Sequence, residues 1–170
     1  SAMMTTESED YSTLESIAET GGVRPDATWP ANRDAAEANA VVAQEFGLDL
    51  ITLHAGHLPA TTHGSERSKM IDRLRTLTDI FAARGVRVGL ETGQETAETL
   101  LGYLDELPGA GVNFDPANMI LYAMGDPHEA FEQLAARVVQ LHIKDARTTK
   151  TPGTWGEEVP AGEGEVDWDR

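Results

Sequence analysis

Four residues with metal-binding or proton-transfer chemistry recur along the chain: His54, Glu91, Asp115 and His142. Each lies at the end of a short apolar run, in LDLITLH from Leu48, VRVGLE from Val86, AGVNFD from Ala110 and VVQLHI from Val138. Two carboxylates and two imidazoles, with no thiolate, suit a divalent ion of the Mn, Mg, Co or Zn kind, and such a site leaves coordination positions for a substrate oxygen. Each residue also has a plainer reading. An acidic residue after a strand often caps a helix, as Asp115 before Pro116 could, and a lone histidine is often a satisfied core residue. Four such endings in succession favour one shared site.

The elements that must hold these residues are legible as alternating runs. Between the four strands lie amphipathic stretches of helical length: Ala31 to Phe46, ending at Gly47, Ser65 to Arg84, ending at Gly85, and Glu95 to Leu107. Asp126-Pro127 opens a further helix through Leu134, with proline in the first turn. Strand and helix in regular alternation is the signature of parallel α/β architecture, in which the C-terminal strand ends line the functional face. The opening SAMM reads as a fifth strand. A closed barrel needs eight strands and roughly 250 residues, so the 170 residues read as a single barrel domain over 1–170 cut at both ends, with Trp168-Asp169-Arg170 entering another helix.

Composition narrows the partners. Twenty-nine Asp and Glu against thirteen Lys and Arg give a formal charge of −16, which repels polyphosphate, so nucleic acid is not an expected partner. The chain has no cysteine, hence neither disulfide nor thiolate metal site. Neither a membrane span nor a signal peptide is visible, so no membrane partner and a cytoplasmic location are expected. An open partial barrel exposes sheet edges and should self-associate, so a homo-oligomer is one expectation.

Several segments together resemble a known family. LETGQETAETL around Glu91, VNFDPANMILY around Asp115, LHIKD around His142 and TPGTWGEEVPAGEGEVDW from Thr151 look like the xylose-isomerase-like TIM barrels described as sugar phosphate isomerases or epimerases. EDYSTLESI from Glu9 and LHAGHLP from Leu53 are similar to segments after the second and third strands of that group. The resemblance implies an α/β (β/α)8 TIM-barrel fold, of which this chain holds roughly strands 2 to 6. It also implies one divalent metal held by Glu91, Asp115 and His142, with a fourth ligand, a Glu on an eighth strand, lying outside the chain.

The implied activity is isomerisation or epimerisation of a sugar, sugar phosphate or related hydroxy-keto compound. The ion binds adjacent carbonyl and hydroxyl oxygens while Glu91, as catalytic base, removes the intervening carbon-bound proton to give an enediolate. A carboxylate of ordinary pKa, about 4.3, needs such help against a carbon acid. Asn118 stands where the resemblance places a group on a substrate oxygen, although a helix-start hydrogen bond would explain it as well. His54 and His57 follow the second run, with His57 in a proline-bounded loop. Lys144 and Arg147 follow His142 and could hold a hydroxyl, carboxylate or phosphate. His63 and His128 read as surface residues, and Glu157, Glu158 and Glu163 as solvated loop acids. The alternatives are a truncated, non-catalytic sugar-binding remnant, an inosose-type dehydratase, and an AP-endonuclease-like phosphodiesterase. That last branch carries a histidine where this chain has Asn118.

Overall fold

Short apolar runs separated by helices build a wall of parallel strands, and the computed structural model describes it for residues 1–169. The strands β1 (Ala2–Met3), β2 (Leu50–Leu53), β3 (Arg87–Glu91), β4 (Ala110–Phe114) and β5 (Val138–Leu141) pair in chain order, all parallel. This is the partial barrel the alternation implies. The opening segment is a strand, with Ala2 opposite Ile51 and Met3 opposite Thr52. Every residue of β2 and β4 is buried, as expected for parallel strands covered on both faces.

Among the described residues six α-helices pack around this sheet: α1 (Leu14–Thr20), α2 (Trp29–Glu45), α3 (Ser65–Ala82), α4 (Ala97–Leu104), α5 (Pro116–Leu121) and α6 (Pro127–Leu134). On α3, Met70, Leu74, Leu77 and Phe81 recur at helical spacing and enter the same core as Val86, Val88 and Leu90. Each such side chain contributes about 1.5–3 kcal/mol on burial. The start of α4 is later than the apolar spacing suggests, because Thr96 Oγ1 accepts the N–H of Thr99 and caps the helix there. Glu95 is thereby left in the preceding loop, and it is buried.

α1 and α5 are additional to the helices read from sequence, being too short for apolar periodicity to register. A second departure comes after His142. Asp145, Arg147, Glu157 and Glu158 belong to a small antiparallel hairpin, β6 (Asp145–Arg147) with β7 (Glu157–Val159), rather than to an open loop. At the C-terminal end Trp168 and Asp169 form a turn, and Arg170 of the expected helix lies outside the described residues.

Two glycines shape the inner face. A Cβ on Gly111 would come within 2.5 Å of Val139 Cγ1, and one on Gly89 within 3.3 Å of Val139 Cγ2. Their absence of side chain lets Val139 lean inward. The β4–β5 register shifts at this point: Val112 faces Val138, but Asn113 faces Gln140. The extra residue is a bulge, a device that re-aims the side chains beyond it. His142 lies just beyond, and its N–H continues the ladder to Phe114 O at 2.8 Å. Among the described residues no helix is long and apolar enough to cross a membrane.

Candidate metal centre

Glu91 is the last residue of β3, and Asp115 and His142 directly follow β4 and Leu141 of β5, so parallel pairing brings all three to one rim. One ligand atom from each lies within 4.8 Å of the other two. His142 Nδ1 is 3.2 Å from Asp115 Oδ2 and 3.6 Å from Glu91 Oε1. Atoms sharing one ion at about 2.0–2.3 Å sit about 2.8 to 3.8 Å apart, so both His142 distances fit a common cation. Both carboxylates are buried. Two hard oxygens and an imidazole form a donor set for a divalent metal, and two adjacent buried carboxylates call for positive charge between them.

Asp115 satisfies both readings open to it. Its Oδ1 caps α5 by accepting the N–H of Asn118 at 3.0 Å, while Oδ2 faces His142. Asn118 also does two things, because its backbone starts the helix while its side chain enters the site. Its Nδ2 donates to Glu91 Oε1 at 3.2 Å and to Thr92 O at 3.1 Å, and its Oδ1 accepts from Lys144 Nζ at 3.1 Å. The fourth polar strand end, His54, lies with the others, its Nε2 3.3 Å from Glu91 Oε1.

Lys144 reaches the cluster from the segment before β6, 3.5 Å from Asp115 Oδ2 and 3.0 Å from Glu158 Oε2. Burial alone would weaken this ammonium, but Asp115, Glu158 and Glu91 outweigh it and raise its pKa, so the positive form is favoured. Arg147 does not join the group. Its guanidinium donates to Glu163 O at 3.1 and 2.7 Å and lies 3.8 Å from Glu157, bracing the hairpin. His57 is half-buried in the loop after β2, and burial together with the nearby Arg24 lowers its pKa. His63 is exposed. His128 is half-buried, with its Nε2 enclosed and unpartnered among the described residues, so it is no ordinary surface residue.

Beside the cluster opens a pocket of about 370 Å³. His54, Asn118, Lys144 and Glu158 form its polar wall, and Tyr11, Tyr122 and Trp155 its aromatic one. Trp155 meets Tyr122 edge-on at 4.9 Å between ring centroids and Tyr11 at 6.5 Å. Glu9 orients Tyr11, accepting its hydroxyl at 3.1 Å. These aromatics fall inside the segments that carry the family resemblance, yet nothing in their own spacing marks them as pocket residues. Thr92 and Asn113, which touch the site from below, are likewise absent from the sequence reading.

A family model described as xylose isomerase-like TIM barrel matches residues 16–170. The structure of a xylose isomerase domain protein from Planctomyces limnophilus superposes with a TM-score of 0.93 at 33% identity, over 98% of this chain and 62% of that one. A xylose isomerase-like TIM barrel protein from Mycobacterium smegmatis, solved in complex with magnesium, gives a TM-score of 0.70 at 18% identity, over 86% of this chain and 56% of that one, a likeness of fold. The 3-oxo-isoapionate decarboxylase of Pectobacterium atrosepticum is 32% identical over 100 residues, which are 57% of this chain and 36% of that enzyme. The chain thus spans less than two thirds of the length of each of these three relatives.

Proposed function

The chain belongs to the xylose isomerase-like TIM barrel family, and on that premise we propose that it forms the site of a divalent-metal-dependent isomerase or epimerase acting on a small sugar, sugar phosphate or related hydroxy-keto compound. The observation that carries this reading is the convergence of Glu91, Asp115 and His142 within 4.8 Å beside a pocket of about 370 Å³. When bound, the ion supplies Lewis-acid polarisation of adjacent substrate oxygens and stabilises enediolate charge. Mn, Mg, Co and Zn all suit the donor set.

The chain's own residues account for the rest. Glu91 takes the carbon-bound proton at a carboxylate oxygen, and His54 and Asn118, both within 3.3 Å of Oε1, orient that oxygen. Lys144 contributes positive charge at the pocket wall, where a substrate hydroxyl or carboxylate would lie. Tyr11, Tyr122 and Trp155 offer flat apolar faces to the carbon-bound hydrogens of a sugar and exclude water from the reacting carbon.

A second reading is favoured by one observation, the relative that is a decarboxylase. Loss of carbon dioxide from a 3-oxo acid leaves its electron pair in an enolate, which is an enediolate where the adjacent carbon carries a hydroxyl, so one site supports either entry. Deuterium wash-in from D₂O over a panel of small ketoses and hydroxy-keto acids, followed by NMR with Mn²⁺-loaded and then metal-stripped protein, separates them. Label entering an otherwise unchanged substrate supports isomerase or epimerase chemistry. Carbon dioxide release with label in the shortened product supports decarboxylation. Absence of both across the panel overturns the catalytic reading in favour of a sugar-binding role.

A further inference from the structure

Two amides lie beneath the candidate ligands and take no part in the chemistry above. Asn113 is fully buried on β4, in register with Glu91 on one side and Gln140 on the other. Its Nδ2 is 2.9 Å from Glu91 Oε2 and 3.1 Å from His142 Nε2, while its buried Oδ1 has no partner among the described residues. Gln140 Nε2 lies 3.5 Å from the same His142 Nε2.

The chemistry of these groups dictates where the hydrogens go. A carboxylate only accepts and an amide nitrogen only donates, so Glu91 fixes the orientation of the Asn113 amide. The second Nδ2 hydrogen then points at His142 Nε2, which must accept. A neutral imidazole carries one proton, which is left for Nδ1, and Asp115 Oδ2 receives it at 3.2 Å. We infer that Asn113 is a positioning residue that holds Glu91 by Oε2, leaving Oε1 for the site, and that fixes His142 in the Nδ1–H tautomer in the metal-free protein.

The inference deepens the metal reading of Glu91, Asp115 and His142 and rests on it for its second consequence. Nδ1 is the ring atom that faces both carboxylates, and a nitrogen that binds a metal cannot keep its proton. A metal held by Nδ1 would therefore displace its proton, and a ring keeping one proton would carry it at Nε2. The new N–H would face the Asn113 Nδ2 donor at 3.1 Å, so that hydrogen bond would be given up and an acceptor would be needed from another side. Turning the Asn113 amide over would set its oxygen against Glu91 Oε2. Turning the Gln140 amide over brings an oxygen to Nε2 and gives up only its long contact with that same atom. Gln140 is thus assigned as the acceptor in the loaded protein.

Nitrogen-15 NMR of the whole chain, stripped of metal, tests the first part. The wild type is expected to show His142 protonated at Nδ1, with a coupling across the hydrogen bond from Asn113 Nδ2 to His142 Nε2. Asn113→Leu is expected to raise the Nε2–H fraction above the wild-type level, with Asp115 still accepting at Nδ1. A wild-type ring protonated at Nε2, or a folded Asn113→Leu variant with an unchanged tautomer, overturns the inference, and the wild-type coupling alone decides it if that variant does not fold. Zinc titration tests the second part. Gln140→Met should weaken Zn²⁺ binding about tenfold with its metal-free tautomer unchanged, and equal affinity removes Gln140 from the scheme. If the wild type binds no divalent ion, the metal reading fails, while the metal-free tautomer still decides the role of Asn113.

Discussion

Thr92 and Asp115 are joined twice through a single hydroxyl. The Asp115 N–H donates to Thr92 Oγ1 at 2.8 Å, and that hydroxyl donates in turn to Asp115 O at 3.0 Å. The pair ties the end of β3 to the end of β4 where the backbone ladder runs out, and it sets the separation of Glu91 from Asp115. Thr92→Val keeps the shape but strands a buried donor and a buried acceptor, each costing about 1–3 kcal/mol. Urea unfolding should show a loss of that order, and calorimetry should show weaker Mn²⁺ binding. Unchanged metal affinity in a destabilised variant would make Thr92 a purely structural clamp.

Asn118 and Glu91 separate orientation from ligation. Asn118→Ala removes the donor to Glu91 Oε1 and the acceptor for Lys144 but leaves all three candidate ligands. It should retain Mn²⁺ binding and lower the rate of deuterium wash-in by about ten- to a hundredfold. Glu91→Gln should lose both metal affinity and exchange. A Glu91→Gln variant with wild-type exchange would remove Glu91 as the base.

β2 and β4 were legible because parallel strands buried on both faces read as apolar runs, and Glu91, Asp115 and His142 stood out as polar residues at the ends of such runs. The supports were less visible for the same reason. Asn113 lies inside a run whose other residues are core, and only the bulge at Val112/Asn113 brings it beside Gln140. The hairpin that carries Glu158 to Lys144 has three-residue strands and a Pro- and Gly-containing connection, too little for a period of two to register. Arg147 could not be told from Lys144 by type or position, since which cation faces the pocket depends on that hairpin.

Glu95 makes stability fall with rising pH. It is buried beside the site, and burial pushes its carboxyl up to about 8 against the pull of backbone N–H groups from Gly93, Gln94 and Glu95 itself. The unfolded chain ionises this group near its ordinary value of 4.5 while the folded chain keeps it protonated. Between these values the folded state binds more protons, so stability declines from pH 5 to 8. Glu95→Gln should flatten that slope in urea titrations at the two pH values. A wild-type slope retained in the variant would assign the decline to another group.

Gly22 is the tightest backbone crossing. Its φ is 67°, and a Cβ there would fall 2.1 Å from Ala55 O. The connection between α1 and α2 meets the loop after β2 at this point, with Val23 N donating to Ala55 O at 3.0 Å. Gly22→Ala should destabilise the chain by about 2 kcal/mol or more, since both the conformation and the space oppose it. It should also displace Tyr11 from the pocket, and reduced melting temperature with altered tyrosine fluorescence would report both.

Asp145 works in the opposite direction from Glu95. Its carboxylate is buried, which alone would raise its pKa, but the N–H groups of Val166, Gly162 and Gly164 and the Trp168 indole outweigh burial and bring it to about 2. Those donors lie at 2.9 to 3.2 Å, so a single side chain gathers residues 162–168 beneath the hairpin. A depressed folded pKa means that the contribution is complete above the unfolded value of 3.8 and is lost as pH falls toward 2. In Asp145→Asn an N–H₂ must replace one oxygen. If it takes the place of Oδ2, it faces three donors and cannot accept from any of them. If the amide turns over, the Ala146 and Val166 bonds are lost instead. Hydrogen exchange should therefore accelerate at least tenfold in the variant at pH 7, either at Gly162 and Gly164 or at Val166 according to which oxygen is replaced, which corresponds to about 1.4 kcal/mol of local opening. Lys144 precedes this anchor by one residue, so its contact with Glu158 should loosen as well. If exchange at these three amides matched the wild type, the segment would be held by its own packing, and Asp145 would be a passenger in it.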